Sequence, residues 1–118
     1  MAANVNGDAQ GPTPVRVDAN HYRSQVVIVN SMGLHARPAS LFVERANCFE
    51  SNVTIQKGSD EVDGKSILQL LSLSAEEGTA LVLETRGPDA EAASISLSQL
   101  VASGFDEMDG DSVAPSSP

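Results

Sequence analysis

Apolar and polar positions along the chain divide it into alternating short strands and helices. Gln25-Val26-Val27-Ile28-Val29 is a β-branched run ended by Asn30-Ser31-Met32-Gly33, the pattern of a mostly buried strand that enters a turn. From Pro38 onward, Ala39, Phe42, Val43, Ala46 and Phe49 recur at steps of three and four, which predicts an amphipathic helix. Val53 and Ile55 alternate with polar residues up to a Gly58-Ser59-Asp60 turn, and a second short segment around Val62 completes a hairpin. Ser66 precedes Ile67, Leu68, Leu70, Leu71 and Leu73, a capped short helix too apolar to be wholly exposed. Thr79 to Thr85 is a third apolar strand. The Gly87-Pro88-Asp89 turn offers Asp89 as a cap for a last helix, whose buried face holds Ala93, Leu97, Leu100 and Val101 and which Gly104 ends. The order βαββαβα predicts an α+β open-faced sandwich, a four-stranded antiparallel sheet covered on one face by helices.

The flanks lack this periodicity. Residues 1–21 read as a flexible N-terminal arm, 22–104 as the folded domain and 105–118 as an acidic flexible tail. Seven basic residues against sixteen acidic ones give a net charge of −9, although the segment Tyr22–Ser103 retains only about −4. Such a charge repels phosphate backbones and anionic lipid alike, so neither nucleic acid nor membrane is an expected partner. The first residues lack the basic start and apolar stretch of a signal peptide, and a cytoplasmic location is expected. Cys48 is the single cysteine, expected to be a small buried hydrophobe, and no Cys/His spacing suggests a metal site.

Candidate chemistry concentrates in Gly33-Leu34-His35-Ala36-Arg37-Pro38-Ala39-Ser40, where a strand's turn meets a helix. Proline is tolerated in a helix's first turn, so Pro38 places the helix start within a few residues of His35. Exposed amides at that end attract an anion, and Arg37 adds a guanidinium that can grip phosphate oxygens. A neutral imidazole is a competent nucleophile for phosphoryl transfer. On these residues alone, a His35 that only caps the helix beside a solvated Arg37 fits equally well. His21 has no acid or cysteine near it in sequence and reads as exposed and silent.

The run GLHARPAS resembles the motif of HPr, the histidine phosphocarrier of the phosphoenolpyruvate-dependent phosphotransferase system. Asn30, Gly64-Lys65-Ser66-Ile67-Leu68, Gly87-Pro88-Asp89 and Ser103-Gly104-Phe105 are also similar in order and spacing, so the likeness spans roughly Tyr22 to Asp106. It implies that His35 is phosphorylated at Nδ1 by enzyme I and passes the group to a IIA protein or domain, with Arg37 steadying the phosphate. It further implies that Ser66 is a regulatory site for an HPr kinase/phosphorylase, and that Ile67, Leu68 and Leu71 form the partner-docking patch. A carrier of this type is a monomer without cofactor or metal and turns over only with its partners, so it is not a stand-alone enzyme.

Three departures bear on partner choice. Glu44 and Asn47 stand where many HPr proteins have basic residues. Met32, before Gly33, and Ser103-Gly104-Phe105-Asp106 resemble the nitrogen-related regulatory branch. Long arms are unusual in the family. A regulatory binding module acting through Ser66 is the alternative from another class, against which His35 and Arg37 argue. A phosphoryl hydrolase using His35 would need a general acid that no motif supplies.

Overall fold

The computed structural model describes residues 13–106. Five strands run β1 (Val15–Asp18), β2 (His21–Val27), β3 (Asn52–Lys57), β4 (Asp60–Asp63) and β5 (Ala80–Arg86). The helices are α1 (Ala36–Ala46), α2 (Ile67–Ser72) and α3 (Ala90–Ala102), followed by a 3-10 turn at Gly104–Asp106. All strand pairings are antiparallel, in the order β1-β2-β5-β3-β4. The α+β open-faced sandwich expected from the sequence is present, with five strands in place of four.

Side-chain alternation decides the two faces of this sheet. Val26, Ile28, Val53, Ile55, Leu81 and Leu83 are buried against the helices, whereas Gln25 and Val27 face solvent, so β2 is half-buried and not the mostly buried strand its β-branched run suggested. Phe42 and Ala39 of α1, Leu70 of α2, and Leu97 and Val101 of α3 close the core from the other side. The hairpin predicted at Gly58-Ser59 forms with Lys57 opposite Asp60.

Other residues and segments also depart from the sequence reading. The extra strand β1 lies in the stretch expected as an arm, with Val15 opposite Arg23; a four-residue edge strand is too short to show alternation and gains its order from β2. His21 is 8% exposed instead of open to solvent. Phe105, placed at the start of the tail, is 1% exposed, because positive φ at Gly104 (72°) and at Phe105 itself (59°) turns the chain back onto the core. Cys48 is exposed, since α1 ends at Ala46 and Cys48 falls beyond its buried stripe, its Sγ 3.5 Å from the Glu44 carbonyl. The remaining parts of the two expected arms, residues 1–12 and 107–118, lie outside the described residues.

A turn expected to cap α3 does something further. Asp89 is the N-cap residue, but its carboxylate makes no cap bond; Oδ2 accepts the Glu50 amide and Oδ1 accepts the Ser51 amide, each at 2.9 Å, together with the Ser51 hydroxyl. The Ser51 hydroxyl and these backbone amides hold its pKa below the usual carboxylate range. Gly87 permits this docking, since a Cβ there would lie 2.7 Å from the Ser51 Cα.

Candidate functional site

The loop before His35 is built by short-range hydrogen bonds. Gly33 N–H donates to the Asn30 carbonyl at 3.0 Å, and Asn30 Nδ2 donates to the Gly33 carbonyl at 2.8 Å, closing a tight turn. Gly33 has φ of 73°, and a Cβ on it would lie 2.6 Å from the Ala75 carbonyl oxygen, so only glycine lets the loop settle against the segment after α2. Leu34 then donates its amide to that same Ala75 oxygen at 2.8 Å. The turn is thereby anchored on both sides, and Met32 at its tip is 72% exposed.

His35 is the N-cap residue of α1, with extended backbone and no side-chain cap bond. Its carbonyl accepts the Ala39 amide, the first bond of the helix. The amides of Ala36 and Arg37 precede that bond, and Pro38, third residue of the helix, has no N–H to contribute. The half-buried imidazole and the exposed Arg37 therefore meet the positive end of an 11-residue helix. Such an end contributes about 0.3–1 kcal/mol to a nearby anion, and a guanidinium adds charge-assisted hydrogen bonds to it.

Ser66 and the apolar patch lie along the same helix pair. Lys65 Nζ donates to the Phe49 carbonyl beyond the end of α1, while Leu34 bonds Ala75 beyond the end of α2, so the two helices run side by side in opposite directions. His35 at the start of α1 and Ser66 at the start of α2 thus stand toward opposite ends of the pair. Ser66 Oγ accepts the Gln69 amide at 3.2 Å as an N-cap, as the sequence implied. Leu68 is 79% exposed and Ile67 is also open, whereas Leu71 is half-buried against the core. Lys57 Nζ closes the far end of α2 with a 2.8 Å bond to the Leu73 carbonyl.

A second polar cluster was invisible in the sequence. On the open face of the sheet, Glu84 of β5 accepts from Arg23 Nε at 2.8 Å, lies 3.2 Å from His21 Nε2, and has Arg86 at 3.8 Å. Burial alone would raise the Glu84 pKa, but hydrogen bonds from Arg23 and His21 outweigh it and hold the carboxyl below its ordinary value. Register alone brings these groups together, with Arg23 opposite Glu84 and His21 opposite Arg86. Among the described residues no group of three or more His, Cys, Asp or Glu could hold a metal, and no helix is long and apolar enough to cross a membrane.

A family model described as PTS-HPr, the PTS HPr component phosphorylation site, matches residues 22–103. The chain belongs to the HPr family. The phosphocarrier protein HPr of Neisseria meningitidis serogroup A is 39% identical over 85 residues, 72% of this chain and 96% of that protein. The HPr-like protein Crh of Halalkalibacterium halodurans is 44% identical over 69 residues, 58% and 82% of the two chains. Among solved structures, HPr-C-His from Thermoanaerobacter tengcongensis superposes with a TM-score of 0.69 at 38% identity, covering 71% of this chain and 94% of that one. The fold described above is therefore the HPr fold, in a phosphocarrier family of the phosphotransferase system.

Proposed function

We propose that His35 accepts a phosphoryl group from phosphorylated enzyme I and passes it to a IIA protein or domain, with Arg37 holding the phosphate in both steps. The observation that carries this reading is the position of His35 as the capping residue of α1, with Arg37 exposed in its first turn. The Nδ1 lone pair forms the new N–P bond as the bond to the donor breaks, and the donor keeps that electron pair; onward transfer reverses the roles. Amides and guanidinium at the helix start favour the added negative charge without needing to rearrange. Incubation with enzyme I, magnesium and phosphoenolpyruvate should place an acid-labile, base-stable label on the chain. Label that persists in His35→Ala would refute the assignment.

Exposed Met32, Ile67 and Leu68 supply apolar surface for docking. Phosphorylation of Ser66 by an HPr kinase/phosphorylase would act on that surface and not by contact with the imidazole, since the two sites lie at opposite ends of the helix pair. The likeness to Crh favours a second reading, a regulatory module whose signal is carried at Ser66. Wild-type chain that the kinase labels at Ser66 but enzyme I leaves unlabelled would select it.

A further inference from the structure

We propose that Lys57 is a positioning residue for phosphoryl transfer: its ammonium holds a left-handed turn at Ser74, and that turn aims the Ala75 carbonyl which anchors the His35 loop. The proposal rests on the reading of His35 as a phosphoryl acceptor and adds a distant residue to its support.

Strand parity sends Lys57 to this place. Val53, Ile55 and Lys57 alternate along β3, and the first two are buried under the helices. Lys57 is the last residue of the strand, so its side chain leaves the helix side of the sheet beyond Ile55 and reaches the end of α2. There Nζ donates to the Leu73 carbonyl at 2.8 Å and lies 3.4 Å from the Ser74 carbonyl oxygen. A cation is favoured at the carbonyl end of a helix, and this one spans two successive peptide units.

The turn at Ser74 is the part that needs holding. Its φ of 50° lies in the left-handed region, which strains a serine backbone, and its side chain is exposed, so no packing of its own offsets the strain. Leu73 and Ala75 on either side are buried. Their burial fixes where the segment lies, and the turn between them fixes which way the Ala75 carbonyl points. That oxygen accepts the Leu34 amide at 2.8 Å and would lie 2.6 Å from a Cβ on Gly33. The His35 amide donates in turn to the Gly33 carbonyl at 3.0 Å. Gly33, Leu34 and His35 thus take their placement from one carbonyl, and misplacement by about 1 Å can slow a positioned reaction about a hundredfold.

The test compares the full-length wild type with Lys57→Met, Lys57→Arg, Ser74→Gly, and Lys57→Met combined with Ser74→Gly. Methionine keeps an unbranched chain without the charge, arginine keeps charge and donors, and glycine adopts the left-handed turn without strain and so removes the need for the clamp. In Lys57→Met, amide exchange at Leu34 should accelerate about tenfold more than at Leu97 in the core of α3, the scale of one lost charge-assisted hydrogen bond. Transfer from phosphorylated enzyme I, followed over a range of carrier concentrations, should show a maximal rate about fivefold lower, with KM within about twofold. Lys57→Arg should regain most of that rate, and Lys57→Met should have little effect once Ser74→Gly is present. A lysine that only caps α2 would lower stability and leave Leu34 exchange and maximal rate alone. Equal maximal rates in wild type and Lys57→Met, Leu34 exchange that accelerates no more than Leu97, or a slow Lys57→Met that Ser74→Gly fails to restore, would overturn the proposal. A wild-type chain that enzyme I leaves unlabelled would refute the acceptor reading instead, and Leu34 exchange would still decide whether Lys57 sets the loop.

Discussion

His21 lies on the sheet, 8% exposed, with Nε2 3.2 Å from the Glu84 carboxylate, whereas His35 stands half-buried at the start of α1 beside Arg37. The side chain is the same and the surroundings have opposite sign. A carboxylate next to an imidazole ties up one ring nitrogen and repels an incoming phosphoryl donor. Helix amides and a guanidinium attract that donor and stabilise the product. Position in the fold, not residue type, therefore distinguishes His21 from the proposed acceptor His35.

The largest expected effect is His35→Ala, which should abolish phosphoryl acceptance and leave the melting temperature within a few degrees, because the half-buried imidazole lies outside the hydrophobic core. A His35→Ala protein that unfolds would put His35 in the same class as His21. Next, Arg37→Ala should slow transfer about tenfold or more, by analogy with loss of one preorganised donor, with the fold intact because the side chain is exposed. Stopped-flow transfer rates and thermal unfolding on the same sample separate these effects. The reverse pattern belongs to His21→Ala. It should retain transfer within about twofold while losing about 1–2 kcal/mol of stability, seen as a fall in urea midpoint.

The smallest effect is in pH dependence. Glu84 and Asp89 have folded pKa values below their unfolded ones, so the stability they contribute is complete at neutral pH and is lost as pH falls through the folded values, below about pH 4. Glu84→Gln and Asp89→Asn should each flatten the fall in urea midpoint between about pH 5 and 2. An unchanged slope in Glu84→Gln would mean that the His21 cluster contributes nothing to stability, which would weaken the contrast with His35.

The motif around His35, the proposed acceptor, was legible because its surroundings are local. Gly33, Pro38 and Arg37 all lie within three residues of His35, and turn and helix-start chemistry operate at that range. Ser66 was legible as a cap for the same reason. His21 was not, because Glu84 is 63 residues away and meets it only through strand register. Asp89 was read as a cap from its position, yet its oxygens serve Glu50 and Ser51, which only the tertiary fold brings near. Phe105 was lost to the tail because an isolated aromatic after a glycine has no periodicity to mark it. Sequence pattern reports contacts within a turn or a helix, and the sheet's long-range pairs need the fold.

Phosphorus and nitrogen NMR on uniformly 15N-labelled chain, charged with enzyme I and phosphoenolpyruvate, tests the contrast between the two histidines most directly. The account predicts one phosphoramidate resonance coupled to Nδ1 of His35, with the His21 ring resonances unchanged. A phosphoryl group on His21, or ring resonances of His35 that stay unphosphorylated while the chain carries label, would contradict it.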